Sequence, residues 1–124
     1  MKFQELLAYK KSFELAMLIF EVSKKFPIEE RYSMTDQIRR SSRAISANIA
    51  EAYGKRKYPK HFISKLTDSD SENLETQTWI AFAGECGYIT KNSVKKLINK
   101  SEEIGKLLNY MMHHPHKFGV LLDN

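Results

Sequence analysis

The sequence predicts an all-α chain folded as an antiparallel up-and-down four-helix bundle. Three observations carry that expectation. Apolar residues recur at steps of three and four through four long stretches, the period of a helix with one buried side. Glycine and proline are scarce, five and three in 124 residues, which disfavours turn-rich barrels and sandwiches. The breakers that do occur stand between the stretches, at Pro27, Gly54, Pro59 and Pro115, so the joins are short and consecutive helices run antiparallel. A chain of this length makes one domain.

The first segment runs from Phe3 to Phe26, with an expected inner stripe of Phe3, Leu6, Leu7, Phe13, Ala16, Met17, Phe20 and Val22, which Tyr9 would extend. Lys24 and Lys25 complement the negative end of its dipole, and Pro27 stops it. Residues 27–33 read as a loop in which Ile28 and Tyr32 seal the bundle end. Ser33 is the expected N-cap of the second helix, Met34 to Tyr53, with Asp36 near the positive dipole end. Its inward stripe is Ile38, Ser41, Ile45, Ile49 and Ala52. Small residues crowd this helix (Ser41, Ser42, Ala44, Ser46, Ala47, Ala50 and Ala52) and permit close approach by a neighbour, in the same bundle or in another subunit.

Gly54 is expected to end that helix in the left-handed conformation, and Pro59 to open the third as its first residue. The third helix, Pro59 to Tyr88, has Phe62, Leu66, Leu74, Ile80, Ala81 and Tyr88 as expected core. Its stretch Thr67 to Asn73 is polar, and two readings stand. Either it is helix with Ser69 and Asn73 facing polar partners, or it is a break between two shorter helices. Thr90, Asn92 and Ser93 offer caps for a fourth helix ending at His113, whose apolar face is Val94, Leu97, Ile98, Ser101, Ile104, Leu108 and Met111. The bundle then occupies residues 1–114. Residues 115–124, with Phe118, Val120, Leu121 and Leu122, form a tail, either flexible or packing on a neighbouring subunit.

Composition excludes several classes. Hydrophobic residues make up 42% and charged residues 28%, values of a soluble globular chain. No apolar run is long enough for a membrane span, and no signal-peptide pattern opens the chain, so a cytoplasmic location follows by elimination. The one cysteine, Cys86, allows no internal disulfide and no cysteine-based metal cluster. No Glu-x-x-His pair of a di-metal bundle occurs, and His113, His114 and His116 straddle Pro115 without an acidic ligand nearby. No phosphate-cradling glycine loop and no nucleophile beside a base is present. Neither a metal, a cofactor nor an enzymatic activity is expected.

Two residue sets remain. The first is polar: Gln37, Arg40, Asn48 and Glu51 on the second helix, with Asn73, Glu75 and Gln77 on the third. A carboxylate among amides is capable of acid–base chemistry when its pKa is raised, but buried polar groups need partners simply to be tolerated. A structural network or subunit interface is the reading adopted. The second set is basic. The net charge of +5 divides as +5 over residues 1–57, −3 over 58–88 and +3 over 89–124, so an acidic helix lies between basic segments. Arg39 and Arg43 share a helix face, and Lys55, Arg56, Lys57 and Lys60 cluster at the hinge with Tyr53 and Tyr58 interleaved. Such cations neutralise phosphates while the aromatics stack on exposed bases.

The stretch from Gln37 to Ala52 (QIRRSSRAISANIAEA), with Leu74-Glu75-Thr76-Gln77, Gly87-Tyr88-Ile89 and Phe26-Pro27-Ile28-Glu29-Glu30, resembles the four-helix-bundle family encoded in intervening sequences of bacterial 23S ribosomal RNA genes. The resemblance covers residues 3–112. It implies a small up-and-down bundle and a homo-oligomer, specifically a ring-shaped pentamer, for a family whose molecular function is largely unestablished. More distantly, the chain is similar to the accessory protein of diversity-generating retroelements, a basic pentameric barrel that engages a reverse transcriptase and its template RNA. By this resemblance Gln37, Arg40, Asn48 and Glu51 match the polar motif of the second helix, and Glu75 and Gln77 that of the third. The chain departs from the family pattern at Ala52, where glycine is usual, at Ala44, where serine is usual, and at Thr67 to Asp70, where the family has a small-residue stretch.

The expected function is therefore a non-enzymatic oligomeric scaffold or adaptor that binds RNA or a nucleoprotein partner through Arg39, Arg43, Lys55, Arg56, Lys57 and Lys60. The alternative is a purely structural interaction module, with a host protein on its apolar or charged surface and no nucleic-acid role.

Overall fold

The structure, a computed structural model, describes residues 1–121. Among these residues there are four α-helices and no strand: α1 (Leu7–Ser23), α2 (Met34–Gly54), α3 (Pro59–Glu85) and α4 (Lys91–His113). Short 3-10 turns stand at Phe3–Glu5, Ile28–Glu30 and Pro115–Phe118. Each helix packs on the next and α4 closes on α1, with the most extensive contact between α2 and α3. This is an up-and-down four-helix bundle. No described helix is long and apolar enough to cross a membrane.

The inner stripes of α2 and α4 lie where hydrophobic periodicity places them. Ile38, Ser41, Ile45, Ile49 and Ala52 are buried, as are Leu97, Ser101, Ile104, Leu108 and Met111, with Val94 and Ile98 at the margin. Thr90 caps α4 by accepting from the Ser93 backbone N–H at 3.1 Å, and Pro59 opens α3.

Two stripes differ from expectation. In the first segment, Leu6 is extended (φ −63°, ψ 132°) between the opening turn and α1, so Phe3 and the helix proper are out of phase. The buried face of α1 is Ala8, Ser12, Leu15, Ile19 and Ser23. Leu7, Phe13 and Met17 are about half exposed, and Ala16, Phe20 and Val22 lie at the margin. The cause is that serines occupy inner positions while larger apolar residues flank the seam to α2. In α3, one continuous helix runs through residues 67–73, and its inner positions are Phe62, Leu66, Ser69, Asn73, Thr76, Ile80 and Ala83. Steps of four and three alternate without a fault, but polar residues fill the middle. Leu74 and Ala81 consequently face out. Asp68 and Asp70 flank the inner Ser69 rather than entering the core, so the acids at this departure from the family pattern do not crowd the helix contact.

Those inner polar residues are paired with one another. Ser12 and Ser46 share a hydrogen bond at 2.7 Å, Thr76 donates to Ser41 at 2.9 Å and Ser69 donates to the Ile45 carbonyl at 2.8 Å. Ser101 donates to Asn73 Oδ1 at 2.7 Å, and Asn73 Nδ2 returns a bond to the Ser101 carbonyl at 2.9 Å. Among the described residues no buried side-chain nitrogen or oxygen lacks a partner, as a stable interior requires.

Both bundle ends are tied. At the end holding the α1–α2 and α3–α4 joins, the Tyr88 hydroxyl donates to Glu30 at 2.9 Å, which pushes the phenol up to about 12, and its ring meets Phe26. Ser33 makes no side-chain cap; Glu30 instead accepts from the Met34 N–H. At the other end, the Tyr53 hydroxyl donates to the Met1 carbonyl at 2.8 Å. Arg56 stacks on the Tyr53 ring at 3.6 Å and donates to the Tyr53 carbonyl. Positive φ belongs to Gly87 and Gly119, not to Gly54. In the segment after α4, Gly119 turns back against Arg56 and Val120 is buried against the bundle. An apolar residue at 120 gains more on its own core than in solvent. Residues 122–124 of that tail, with Leu122, lie outside the described residues.

Gly84 and Gly105 provide a paired test of the α3–α4 approach. A Cβ at Gly84 would stand 2.6 Å from Val94 Cγ2, and a β-branched side chain has little freedom to swing aside. Gly84→Ala should lower stability by about 1–3 kcal/mol. A Cβ at Gly105 meets nothing nearer than Asn73 Nδ2 at 3.5 Å, so Gly105→Ala should raise stability by about 0.5–1 kcal/mol. Urea unfolding midpoints at unchanged m-value read both; a shift of the same sign in both variants would contradict the close approach.

Candidate nucleic-acid interface

The α2–α3 seam carries a polar ladder on its outer rim. Arg40 forms a bidentate pair with Glu72, at 2.9 and 3.1 Å, and reaches Glu75 Oε2 at 2.6 Å. Its Nε–H donates to Gln37 at 3.1 Å, and Trp79 Nε1–H donates to the same Glu75 oxygen. The guanidinium is held still more firmly protonated, chiefly by Glu72 and then by Glu75. The Trp79 hydrogen bond holds the Glu75 carboxyl below its ordinary value against the opposing effect of burial, with the hydrogen bond and charge of Arg40 adding to the lowering.

The expected polar set divides into separate groups. Gln37, Arg40 and Glu75 come together in the ladder. Asn48 donates to the Ala44 carbonyl of its own helix at 3.0 Å, and Glu51 pairs with Lys65 at 3.3 Å. Asn73 and Gln77 turn to the other side of α3 and meet Ser101, Gln77 donating to its hydroxyl at 2.8 Å. Glu72 and Trp79 were not among the expected residues, and Ser101 was expected on the inner face of the fourth helix but not as a partner of the polar set. Glu72, Glu75 and Trp79 sit three and four apart on one helix, a spacing that was available as a signal; the meeting with Ser101 depends on tertiary register and left none.

The basic set also divides, along the length of α2. Arg39 donates from Nε to the buried Ser23 hydroxyl at 2.8 Å and lies over the Phe20 ring at 4.8 Å. Arg43 lies over the same ring at 5.7 Å. Lys55, Lys57 and Lys60 are exposed around Tyr58, whose ring faces His61 at 5.7 Å. Twelve residues separate Arg43 from Lys55, about 18 Å of helix rise. Among the described residues, no carboxylate lies within 4.0 Å of Arg39, Arg43, Lys55, Lys57 or Lys60, whereas Arg40 and Lys65 are paired with acids. Arg56, the remaining member of the set, is held between Tyr53 and Gly119.

A second surface is apolar. Tyr9, Phe13, Ala16 and Met17 of α1 line a groove of about 370 Å³ with Arg43, Ser46 and Ala47 of α2. Among the described residues no three His, Cys, Asp or Glu side chains are placed to hold a metal ion, and Cys86 is an exposed free thiol.

Residues 4–110 match the model of a protein family described as 23S rRNA-intervening sequence protein. The chain is also similar to a crystal structure of a protein with unknown function from the S23 ribosomal protein family of Bacteroides thetaiotaomicron. The two are 33% identical with a TM-score of 0.78, over 86% of this chain and 96% of that one. No curated protein matches the chain. Neither description states an enzymatic activity.

The ladder makes stability depend on acid pH with a defined sign. Because the folded state lowers the Glu75 pKa, its contribution is complete above the unfolded value and is lost as pH falls through the folded one. Glu75→Gln keeps an acceptor for Trp79 but removes the titration. Its stability should fall less than that of the parent between about pH 5 and pH 3. Trp79 is the single tryptophan, so its emission follows unfolding directly; parallel acid limbs in the two proteins would exclude this role for Glu75.

Proposed function

The chain belongs to the 23S rRNA-intervening sequence protein family, and we propose that it is a non-enzymatic oligomeric scaffold that contacts RNA through its basic surfaces. One observation carries the reading: Glu72 and Glu75 of α3 are engaged by Arg40 and Asp68 by Lys65, while Arg39, Arg43, Lys55, Lys57 and Lys60 have no carboxylate partner among the described residues. Unpaired cations beside exposed aromatic rings suit a phosphate backbone with splayed bases. Tyr58, 59% exposed, is the ring so placed at the lysine turn.

An acid–base enzyme is disfavoured by the same geometry. A general acid or base at neutral pH needs a raised carboxyl pKa, and Glu75 is shifted the other way. Glu51 is exposed and paired with Lys65. The groove lined by Phe13 and Met17 supports self-association, since about half of each side chain remains in water in the single chain. It equally supports the second reading, a protein-interaction module whose partner covers this groove.

Salt dependence separates the two. Binding of labelled single-stranded RNA, structured RNA and duplex DNA is measured across a salt series by anisotropy. The reading expects a steep fall of affinity with salt. For single-stranded RNA, replacing Lys55, Lys57 and Lys60 by alanine should reduce the log–log slope by about 2, at roughly 0.7 per phosphate contact. Absence of binding to all three at low salt would overturn RNA contact and leave the interaction module.

A further inference from the structure

The arginine end of α2 holds a cleft of about 810 Å³, bounded by the end of α1, the join after it and the first turns of α2. That volume lies within the range of small-ligand sites. Five cations line it (Lys24, Arg31, Arg39, Arg40 and Arg43) against one carboxylate, Asp36. Lys24 is paired with Glu21 and Arg40 with Glu72 and Glu75. Arg31, Arg39 and Arg43 have no carboxylate within 4.0 Å among the described residues.

Arg39 is set in place before any ligand arrives. Its Nε–H is bound by Ser23, which is 2% exposed and is itself fixed to the Phe20 carbonyl at 3.0 Å. Phe20 lies near the Arg39 and Arg43 guanidinium groups and the Lys24 ammonium, so three like charges share one ring. Among the described residues, the Nη groups of Arg39 make no hydrogen bond to another side chain. A guanidinium fork matches phosphate oxygens, and bonds to an ionised acceptor are about twice as strong as neutral ones. Three unpaired guanidiniums exceed the single charge of an internal phosphodiester and suit the greater charge of a terminal phosphate. Phe26, Pro27 and Ile28 supply an apolar wall on the same cleft, where a sugar and base would lie.

We propose that this cleft binds the terminal phosphate of a 5′-phosphorylated nucleotide, at an RNA end or on a free mononucleotide. The RNA source rests on the RNA-contact reading above; the phosphate chemistry of the cleft does not. Arg39 and Arg43 act as the fixed donors, Arg31 closes the third side, and Asp36 disfavours ligands that bring further negative charge to the rim.

The test uses the full chain and one short single-stranded RNA labelled at its 3′ end, prepared with either a 5′-monophosphate or a 5′-hydroxyl. Anisotropy should show the phosphorylated RNA bound about tenfold tighter, the worth of about one charge-assisted bond at the weak end of their range. Adenosine 5′-monophosphate should compete and adenosine should not. The Arg39→Gln, Arg43→Gln double variant should abolish the difference, while the Lys55, Lys57, Lys60 triple alanine variant should retain it. Because Arg39 contacts Ser23, Arg31→Gln at an exposed position provides a variant without that folding risk and should also narrow the difference. Equal affinity for the two RNAs would overturn the cleft and leave RNA contact standing. Binding of adenosine 5′-monophosphate, read directly by titration calorimetry, without binding of either RNA would uphold the cleft and overturn RNA contact. Failure of all three ligands would overturn both.

Discussion

The bundle depends on a layer of hydroxyls and amides that has to be satisfied inside an apolar core. Leucine layers tolerate sliding and rotation of helices, because dispersion contacts have no fixed direction. A buried hydroxyl without a partner costs about 1–3 kcal/mol, so the Thr76–Ser41, Ser69–Ile45 and Asn73–Ser101 bonds are all met in one register of α2, α3 and α4. Ser12 and Ser46 extend the same constraint to α1. The outer ladder follows from that register: Arg40 stands opposite both Glu72 and Glu75 because Ser41, its neighbour in sequence, is fixed against Thr76.

This layer also explains what was legible in the sequence. In α2 and α4 the inner positions are mostly apolar and the outer ones charged, so periodicity identifies the face. In α3 the period is equally regular, but Ser69, Asn73 and Thr76 interrupt the apolar signal, and Leu74 then draws the inferred face outward. In α1, Ser12 and Ser23 are inner while Phe13 and Met17 are outer, which rotates the inferred stripe. Both misassignments have one physical cause: hydropathy treats a serine as a surface residue, whereas a small hydroxyl with a partner is a good occupant of a close helix–helix contact. The Gln37–Arg40–Glu75 grouping was readable from residue type. The separation of Asn48, Glu51, Asn73 and Gln77 from it was not, because it depends on which side of α3 each residue faces.

Charge follows a similar logic. Glu72 and Glu75 of α3 are directed at Arg40, and Lys65 of the same helix meets its own Asp68 and reaches Glu51 of α2. The cations of the expected basic set divide along α2, Arg39 and Arg43 fixed over Phe20 and the lysines carried on the turn around Tyr58. Position rather than net charge therefore distinguishes the two basic surfaces. The first is concave and rigidly supported, and the second is convex and solvent-facing.

The knot at Tyr53 carries a consequence for how the molecule breathes. One aromatic ring holds the first residue through its hydroxyl and, by way of Arg56, the turn that returns Val120 to the core. Opening that contact releases both terminal segments together. The beginning of α1 and the end of α4 thus form one cooperative unit in the sense of local unfolding, separate from the hydrogen-bonded seam of α2 and α3. Fraying here is a single coupled event rather than two independent ones.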